Sequence, residues 1–477
     1  MLTVKPVVAL AASAWLTGCS LAPHYQVPQV PVPASYKETA PWTAARPGDH
    51  LPRGEWWKAY GDSRLDELEA QLDRNSPDLA TAVARYQQAR AYSDQLKSGL
   101  LPSITASASA ERQGLSATRP LHAPGQANNY NVFTLGADLE YELDLWGRVR
   151  NAVAAGRAQA AASAADLASA RLSLQAQLAS DYMMLRGLDR QIQLLQNTVT
   201  AYQRALELTQ QRHEGGIVSG LDVSRAETQL RTAKSQVSQS NGQRSVYEHA
   251  IAVLVGQPAS SFTLAAATVE LNIPDVPLDV PSSLLERRPD IAGAERRAAA
   301  ANSTIGVARA AYFPTIALSG SAGYQSTNTG NFVNSPNSVW SVGPTLALSI
   351  FDFGKRKALV AQTRAAFDEA GAQYRLTVLT AFKEVEDSLA LLEDYRLASV
   401  DEAAAVVSAQ RSVDFAMTRY KQGGADYLAV VEAQTAALQT QRDALGLQTN
   451  RLQASVQLIR ALGGGWSRAD AEELAGM

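Results

Sequence analysis

The sequence predicts a mainly helical chain that also carries strands of a membrane β-barrel. Three observations predict it: an internal duplication, two long proline-free stretches with helical period, and a two-residue alternation ahead of each stretch. The duplication is read from spaced matches. Pro77-Asp78-Leu79 returns as Pro289-Asp290-Ile291, and Pro102 returns as Pro314, both 212 positions later. From Val132 onward the offset is 207, so that Gly136 meets Gly343, Gly147 meets Gly354, Arg212 meets Arg419 and Gly256 meets Gly463. A length change confined to one point, between Pro314 and Val339, marks a loop there and tightly specified structure elsewhere. The repeats are residues 62–256 and 282–463, joined by a linker at 257–281 and followed by a tail at 464–477.

The chain opens on a targeting segment, residues 1–18. Lys5 supplies positive charge, residues 7–16 are apolar but too few to span a bilayer, and Leu16-Thr17-Gly18-Cys19 follows. These last four residues resemble the bacterial lipobox, in which the cysteine is lipidated and becomes the first residue of the mature protein. Ser20 in place of aspartate after it usually directs such lipoproteins to the outer membrane. Cys19 is the only cysteine, which excludes a disulfide framework and a thiolate metal cluster. Residues 19–61 are rich in proline and form an extended arm, a tether or a strap. With 43 basic against 46 acidic residues, no basic surface argues for nucleic acid.

Helices occupy the proline-free stretches. No proline lies between Pro124 and Pro258 or after Pro344. Leu185, Leu188, Ile192, Leu195, Val199, Tyr202 and Leu206 alternate spacings of three and four, a heptad seam. At 1.5 Å per residue, a helix over residues 148–213 would rise about 100 Å. The pattern breaks at Glu214-Gly215-Gly216 and again at Gln422-Gly423-Gly424 before resuming. Each copy therefore contains a long helical hairpin with a glycine tip, near 213–220 and 421–427.

Strands precede the hairpins. Asp138, Glu140, Glu142 and Asp144 alternate with Leu139, Tyr141, Leu143 and Leu145; in the second copy Ser341, Gly343, Thr345, Ala347 and Ser349 alternate with Trp340, Val342, Leu346, Leu348 and Ile350. Each is preceded by a partner rich in small residues, giving β-hairpins near 103–145 and 315–351. The plainer reading is two half-buried hairpins, but a mostly helical chain offers no second sheet to cover their apolar faces. Alternating segments of about ten residues suit a transmembrane barrel. Four strands cannot close alone, and an open edge is not tolerated in lipid. Symmetry together with a water-filled lumen points to a trimer of twelve strands. Pro344 is expected at a bulge or at the end of pairing.

The residues now carry a resemblance. Trp56-Trp57 with Tyr60-Gly61-Asp62, the run from Leu284 to Ile291, the run from Ile305 to Ile316, Glu142 to Arg148, and Ala461 to Trp466 form an ordered set. By that set the chain resembles the TolC-like outer-membrane factors of tripartite efflux systems, in the lipidated branch that serves resistance-nodulation-division pumps. The resemblance implies a homotrimer whose twelve-stranded β-barrel is continued by a twelve-helix α-barrel, with a mixed equatorial region. It implies a passive exit duct for drugs or other small molecules, docked to a periplasmic adaptor protein and an inner-membrane pump. Adaptor-contacting tips then include Gly215, Gly216, Gly220, Gly423 and Gly424. The family's apolar and acidic gate positions match Leu428 and Glu432; where relatives often carry an arginine three residues on, this chain has Thr435. Arg225, the first-copy equivalent of Glu432, is expected as its ion-pair partner. Asp138, Glu140, Glu142 and Asp144 are expected to line the lumen and favour cations.

An enzyme finds little support. The five histidines lack metal-ligand spacing, and no phosphate loop or nucleophile elbow is present. No cofactor is expected beyond the covalent lipid on Cys19. Two alternatives stay open: an exit duct for type I secretion, and a structural coiled-coil lipoprotein without a pore.

Overall fold

The computed structural model describes residues 20–38, 53–120, 125, 127–274 and 284–464. The signal peptide, Cys19 and the tail beyond 464 lie outside the described residues. The chain falls into two compact units, one of Met1–Gln29, Tyr86–Ser163 and Gly293–Tyr374, the other of Val30–Arg85, Ala164–Ala292 and Arg375–Met477.

Helices and strands recur in the same order. The first copy contains α1 (Ser63–Asn75), α2 (Pro77–Ser98), β1 (Ser103–Gly114), β2 (Asn129–Glu142), α3 (Arg148–Glu214) and α4 (Gly220–Leu254). The second contains α5 (Leu284–Arg287), α6 (Pro289–Ala310), β3 (Thr315–Ser326), β4 (Ser338–Ala347), α7 (Lys355–Lys421) and α8 (Tyr427–Ala461). Pro77 and Pro289 each take the first helical position, where a missing N–H costs nothing. The long helices α3 and α7 both have 67 residues, and α4 and α8 both have 35.

In the first unit the four strands form one antiparallel sheet in the order β1-β2-β3-β4. The hairpin registers transform by the sequence offsets. Ser103 faces Glu140 in the first hairpin, and Thr315 faces Ala347 in the second, which are those residues moved by 212 and 207. Register assigns the two faces: Thr105, Asp138, Ser321 and Ser341 share one row, and Ile104, Leu139, Gly320 and Val342 share the adjacent one. One face is therefore polar and the other apolar, with Ile104, Trp340, Val342 and Leu346 strongly exposed.

Two strand expectations are corrected. The alternation continues past Glu142, but β2 stops there, and the chain turns through Gly147 at φ 75°. Asp144 leaves the strand to cap α3, its carboxylate accepting from the Val149 and Arg150 amides at 3.1 and 2.8 Å. Pro344 makes neither a bulge nor an end: its register with Leu318 is unbroken, and pairing continues to Ala347. In the single chain β4 is the edge of the sheet, where a missing donor is tolerated.

The proline-rich arm is a strap on this unit. Ser20 donates its hydroxyl to Asn151 at 2.8 Å, Pro23 accepts from Asn302 at 2.8 Å, and the Tyr25 hydroxyl reaches Glu295 at 2.8 Å. The strap crosses α6 at Gly306, where a Cβ would come within 2.8 Å of Ala22. Only glycine admits so close a backbone.

In the second unit, Trp56, Trp57 and Tyr60 pack with Leu65, Leu68 and Leu72 of α1 against α3, α4 and α8. Asp62 caps α1 through the Arg64 and Leu65 amides and also accepts from the Tyr182 hydroxyl at 2.7 Å. A buried ion network holds the inter-repeat linker: Asp189 binds Arg186 at 2.8 Å, Arg244 at 2.6 Å and the Ala267 amide at 3.1 Å. The heptad seam of α3 is buried at Leu185, Leu188, Ile192, Leu195, Tyr202 and Leu206. By contrast, α7 exposes Leu376, Leu397, Val400, Val407 and Phe415.

Glu69 of α1 is fully buried, with neither carboxylate oxygen hydrogen-bonded. Desolvation, reinforced by Asp73 and Asp66, pushes it from 4.5 up to about 9. Between those values the folded chain holds a proton that the unfolded chain has lost, so stability falls as pH rises, by at most about 1.4 kcal/mol per pH unit. Glu69→Gln is expected to melt higher than wild type at pH 8, with the gap closing toward pH 4.5. Melting curves with a pH-independent gap would contradict the buried proton.

Candidate functional site

The helical tips are built twice by the same backbone device. At the end of α3 the amides of Gly215, Gly216 and Ile217 donate to the carbonyls of Gln211, His213 and Arg212; at the end of α7 those of Gln422, Gly423 and Gly424 donate to Thr418, Tyr420 and Arg419. Every partner is displaced by 207. Gly216 and Gly423 hold φ of 73° and 79°, the left-handed cap that closes a Schellman motif. The chain then re-enters helix. Asp222 accepts from the Ser219 amide at 3.3 Å to start α4, with Gly220 as its first residue, and Asp426 accepts from the Ala429 amide at 3.2 Å to start α8.

A compact aromatic core joins the two tips. Tyr202, Leu206, Ala226, Leu230, Tyr420, Tyr427 and Val430 pack together, with the Tyr420 and Tyr427 rings edge to face at 5.2 Å. Burial pushes the Tyr202 and Tyr427 hydroxyls up to about 12, so both stay protonated at neutral pH. Arg212 lies 4.7 Å above the Tyr420 ring and donates to the carbonyls of Tyr420 and Lys421 at 2.9 and 3.2 Å. A cation from the first repeat thus caps the C-terminus of α7, where the helix dipole favours it. The Tyr420 hydroxyl donates to Thr209 at 3.3 Å, and Gln229 of α4 donates to Thr435 of α8 at 2.9 Å.

The two residues expected to form a gate lie on α8. Leu428 and Glu432 are one turn apart on an exposed face, beside the buried Tyr427 and Val430. The expected pair between Arg225 and Glu432 is corrected within the chain: Arg225 pairs with Asp222 on its own helix at 3.5 Å, and no ion pair of Glu432 occurs among the described residues. The nearer partner wins because Asp222 is held three residues away by the start of α4. Sequence reasoning missed Arg212 and Tyr420 as a joint. Its signal was the spacing of Arg212 to Gly216 and Arg419 to Gly423.

On the sheet, the four acidic residues part company. Asp138 and Glu140 are exposed on the polar face and make no ion pair among the described residues. Glu142 is held by Arg148 at 2.7 Å and Asp144 by Arg150 at 3.1 Å. The free carboxylates are therefore two per chain rather than four. Among the described residues no acidic, histidine or cysteine group could hold a metal, and no helix is long and apolar enough to cross a membrane.

The family model described as outer membrane efflux protein matches the chain twice, at residues 68–257 and 280–464. The matches begin 212 residues apart and end 207 apart, the offsets of the duplication. The chain belongs to the outer membrane efflux protein family. It is 30% identical over 473 residues to the toluene efflux pump outer membrane protein TtgF of Pseudomonas putida, covering 98% of both chains. It is 32% identical over 463 residues to the outer membrane protein OprJ of Pseudomonas aeruginosa, covering 96% of both. Among solved structures it is similar to the OprN outer-membrane channel, with a TM-score of 0.86, 30% identity and coverage of 94% of this chain and 100% of that one. The CmeC outer membrane channel of Campylobacter jejuni gives a TM-score of 0.90 at 25% identity, over 96% and 97%. This member of the family is thus an outer-membrane efflux component, and the family is one of ducts, not of enzymes.

Alanine at Gly216 or Gly423 meets open space, so its cost is the left-handed backbone alone, about 1–2 kcal/mol. Gly216→Ala and Gly423→Ala are expected to raise amide exchange at the two tips by similar factors. Exchange unchanged in either variant would contradict the shared cap.

Proposed function

We propose that three copies of this chain assemble into a twelve-stranded duct that passively conducts small molecules out of a tripartite efflux pump. The observation that carries the reading is the four-stranded sheet with one polar face, one apolar face and two open edges. In lipid those edges require strands from other copies. Twelve strands leave a lumen lined by the polar face.

The tips at Gly215, Gly216, Gly220, Gly423 and Gly424 are the docking point for a periplasmic adaptor, which couples the duct to an inner-membrane pump of the resistance-nodulation-division class. Leu428 and Glu432 form rings that narrow the helical duct at rest. Cys19 carries the lipid. The strap supports that role, since Ser20, the next residue, is pinned to Asn151 near the start of α3. Small organic molecules are the cargo class, by analogy with the toluene named for TtgF.

Purified protein in planar bilayers is expected to form stable conducting channels and to migrate on denaturing gels as a trimer before boiling and as a faster monomer after it. A coiled-coil lipoprotein without a pore would do neither. The free carboxylates Asp138 and Glu140 predict cation preference, reduced by Asp138→Asn with Glu140→Gln and far less by Glu142→Gln, whose charge Arg148 already neutralises. Reversal potentials in a salt gradient test this, and anion preference in the wild type would overturn it.

A further inference from the structure

Beside the aromatic core of the tips, α3, α4 and α8 surround a polar cavity of about 90 Å³. Helical spacing assembles its walls. Gln229, Ala233 and Gln236 follow one another at four and three residues along α4, and Thr435, Gln439 and Arg442 do the same along α8, so each helix turns one edge toward Tyr202 of α3. The volume is several times what a single water molecule needs.

One wall is complete in its hydrogen bonds. Gln229 donates to Thr435 at 2.9 Å, and the Thr435 hydroxyl donates to the Val431 carbonyl at 2.8 Å. The other wall is not. The Tyr202 hydroxyl, the Gln236 side-chain oxygen and Nε of Arg442 are buried without a hydrogen-bond partner, and Tyr202 as a whole is 4% exposed. Buried polar atoms are nearly always paired, and a charged group shielded from water costs more unpaired than a neutral one. Arg442 is the only charged residue lining the cavity, among hydroxyls, amides and apolar groups. Its neighbour Asp443 accepts instead from the Gln439 amide at 2.9 Å, and no ion pair of Arg442 occurs among the described residues.

Charge decides what suits such a cavity. A cation would meet the guanidinium, and a neutral molecule would leave the buried charge without a counterion. An anion can accept from Arg442 Nε and from the Tyr202 hydroxyl together, and the Gln236 amide, turned about its last bond, offers a further N–H. One positive charge matches one negative charge. We propose that this cavity binds a small monovalent anion of the chloride class, held between Arg442 of α8, Tyr202 of α3 and Gln236 of α4. The anion ties the second repeat's α8 to the first repeat's α3 and α4 by charge-assisted bonds, roughly twice as strong as neutral ones. Thr435, on the cavity wall, follows Glu432 by less than one turn, so the bound ion steadies the stretch of α8 that displays Leu428 and Glu432. All its ligands belong to one chain, and the site therefore stands independently of how copies assemble. The pair occurs once per chain, because 207 positions from Tyr202 and Arg442 stand Ala409 and Ser235.

The test uses full-length protein in detergent with bromide as the probe. Crystals grown in sodium bromide and measured at the bromine absorption edge are expected to show one anomalous peak per chain, within hydrogen-bond distance of Arg442 and Tyr202. Arg442→Gln is expected to remove it. In solution, replacing gluconate, a monovalent anion too bulky for the cavity, by bromide at constant ionic strength is expected to raise the melting temperature along a saturating curve. Tyr202→Phe, which removes only a hydroxyl, is expected to move the midpoint of that curve to several-fold higher bromide. A wild-type cavity without bromine, or a peak undiminished in Arg442→Gln, would overturn the site. Equal melting in bromide and gluconate would do the same, and an unchanged midpoint in Tyr202→Phe would remove Tyr202 from it. If Arg442→Gln fails to fold, the wild-type peak and the Tyr202→Phe titration decide alone.

Discussion

Unpaired backbone is the constraint on which the rest of this molecule depends. The sheet ends at β1 on one side and β4 on the other. Every N–H and C=O along an edge that enters lipid must find a partner, because hydrocarbon offers none and each orphan costs several kcal/mol. The polar and apolar faces of the strands and the matching hairpin registers both concern a sheet meant to be continued. Duplication is an economical answer. Two hairpins related by fixed offsets present edges that already match each other in the middle of the sheet, between β2 and β3.

The helices answer a related demand at a larger scale. A helix of 67 residues cannot be buried on all sides by one chain, and its ends must be terminated without losing the helical frame. The Schellman caps at Gly216 and Gly423 do this with backbone bonds alone. Side chains then join the two hairpins, most directly where Arg212 closes α7 and where Tyr420 meets Tyr427. That aromatic core is buried and apolar, yet the neighbouring Leu428 and Glu432 remain exposed on the same helix. The buried packing of Tyr420, Tyr427 and Val430 thus fixes the helix face on which Leu428 and Glu432 are displayed.

Much of this was legible in the sequence because it is local or periodic. Proline-free stretches, heptad spacing and glycine tips place α3, α4, α7 and α8 to within a few residues. The two-residue alternation identifies β2 and β4 and their faces. What was not legible depends on which side chain is nearest in space. Asp144 continues the strand pattern perfectly, yet the cap of α3 claims it, since a turn at Gly147 brings two free amides to its carboxylate. Arg225 is the repeat equivalent of Glu432, but Asp222, on the same helix, is nearer. Pro344 was expected at a bulge or an end of pairing because a closed barrel has no edge, whereas the single chain's sheet ends at β4 and its register runs on through Pro344. The Arg212 joint was hidden because a guanidinium over a ring needs the third dimension.

The contrast between the finished seam of α3 and the bare flank of α7 has a bearing on how the protein is made. Leu397, Val400, Val407 and Phe415 face water in the lone chain. A newly folded copy thus carries an apolar flank with nothing to cover it in the single chain. Its encounter with sister copies is bimolecular and slow at low abundance, whereas wrong contacts with other apolar surfaces compete throughout. Output of working ducts should then rise more steeply than linearly with the rate of synthesis.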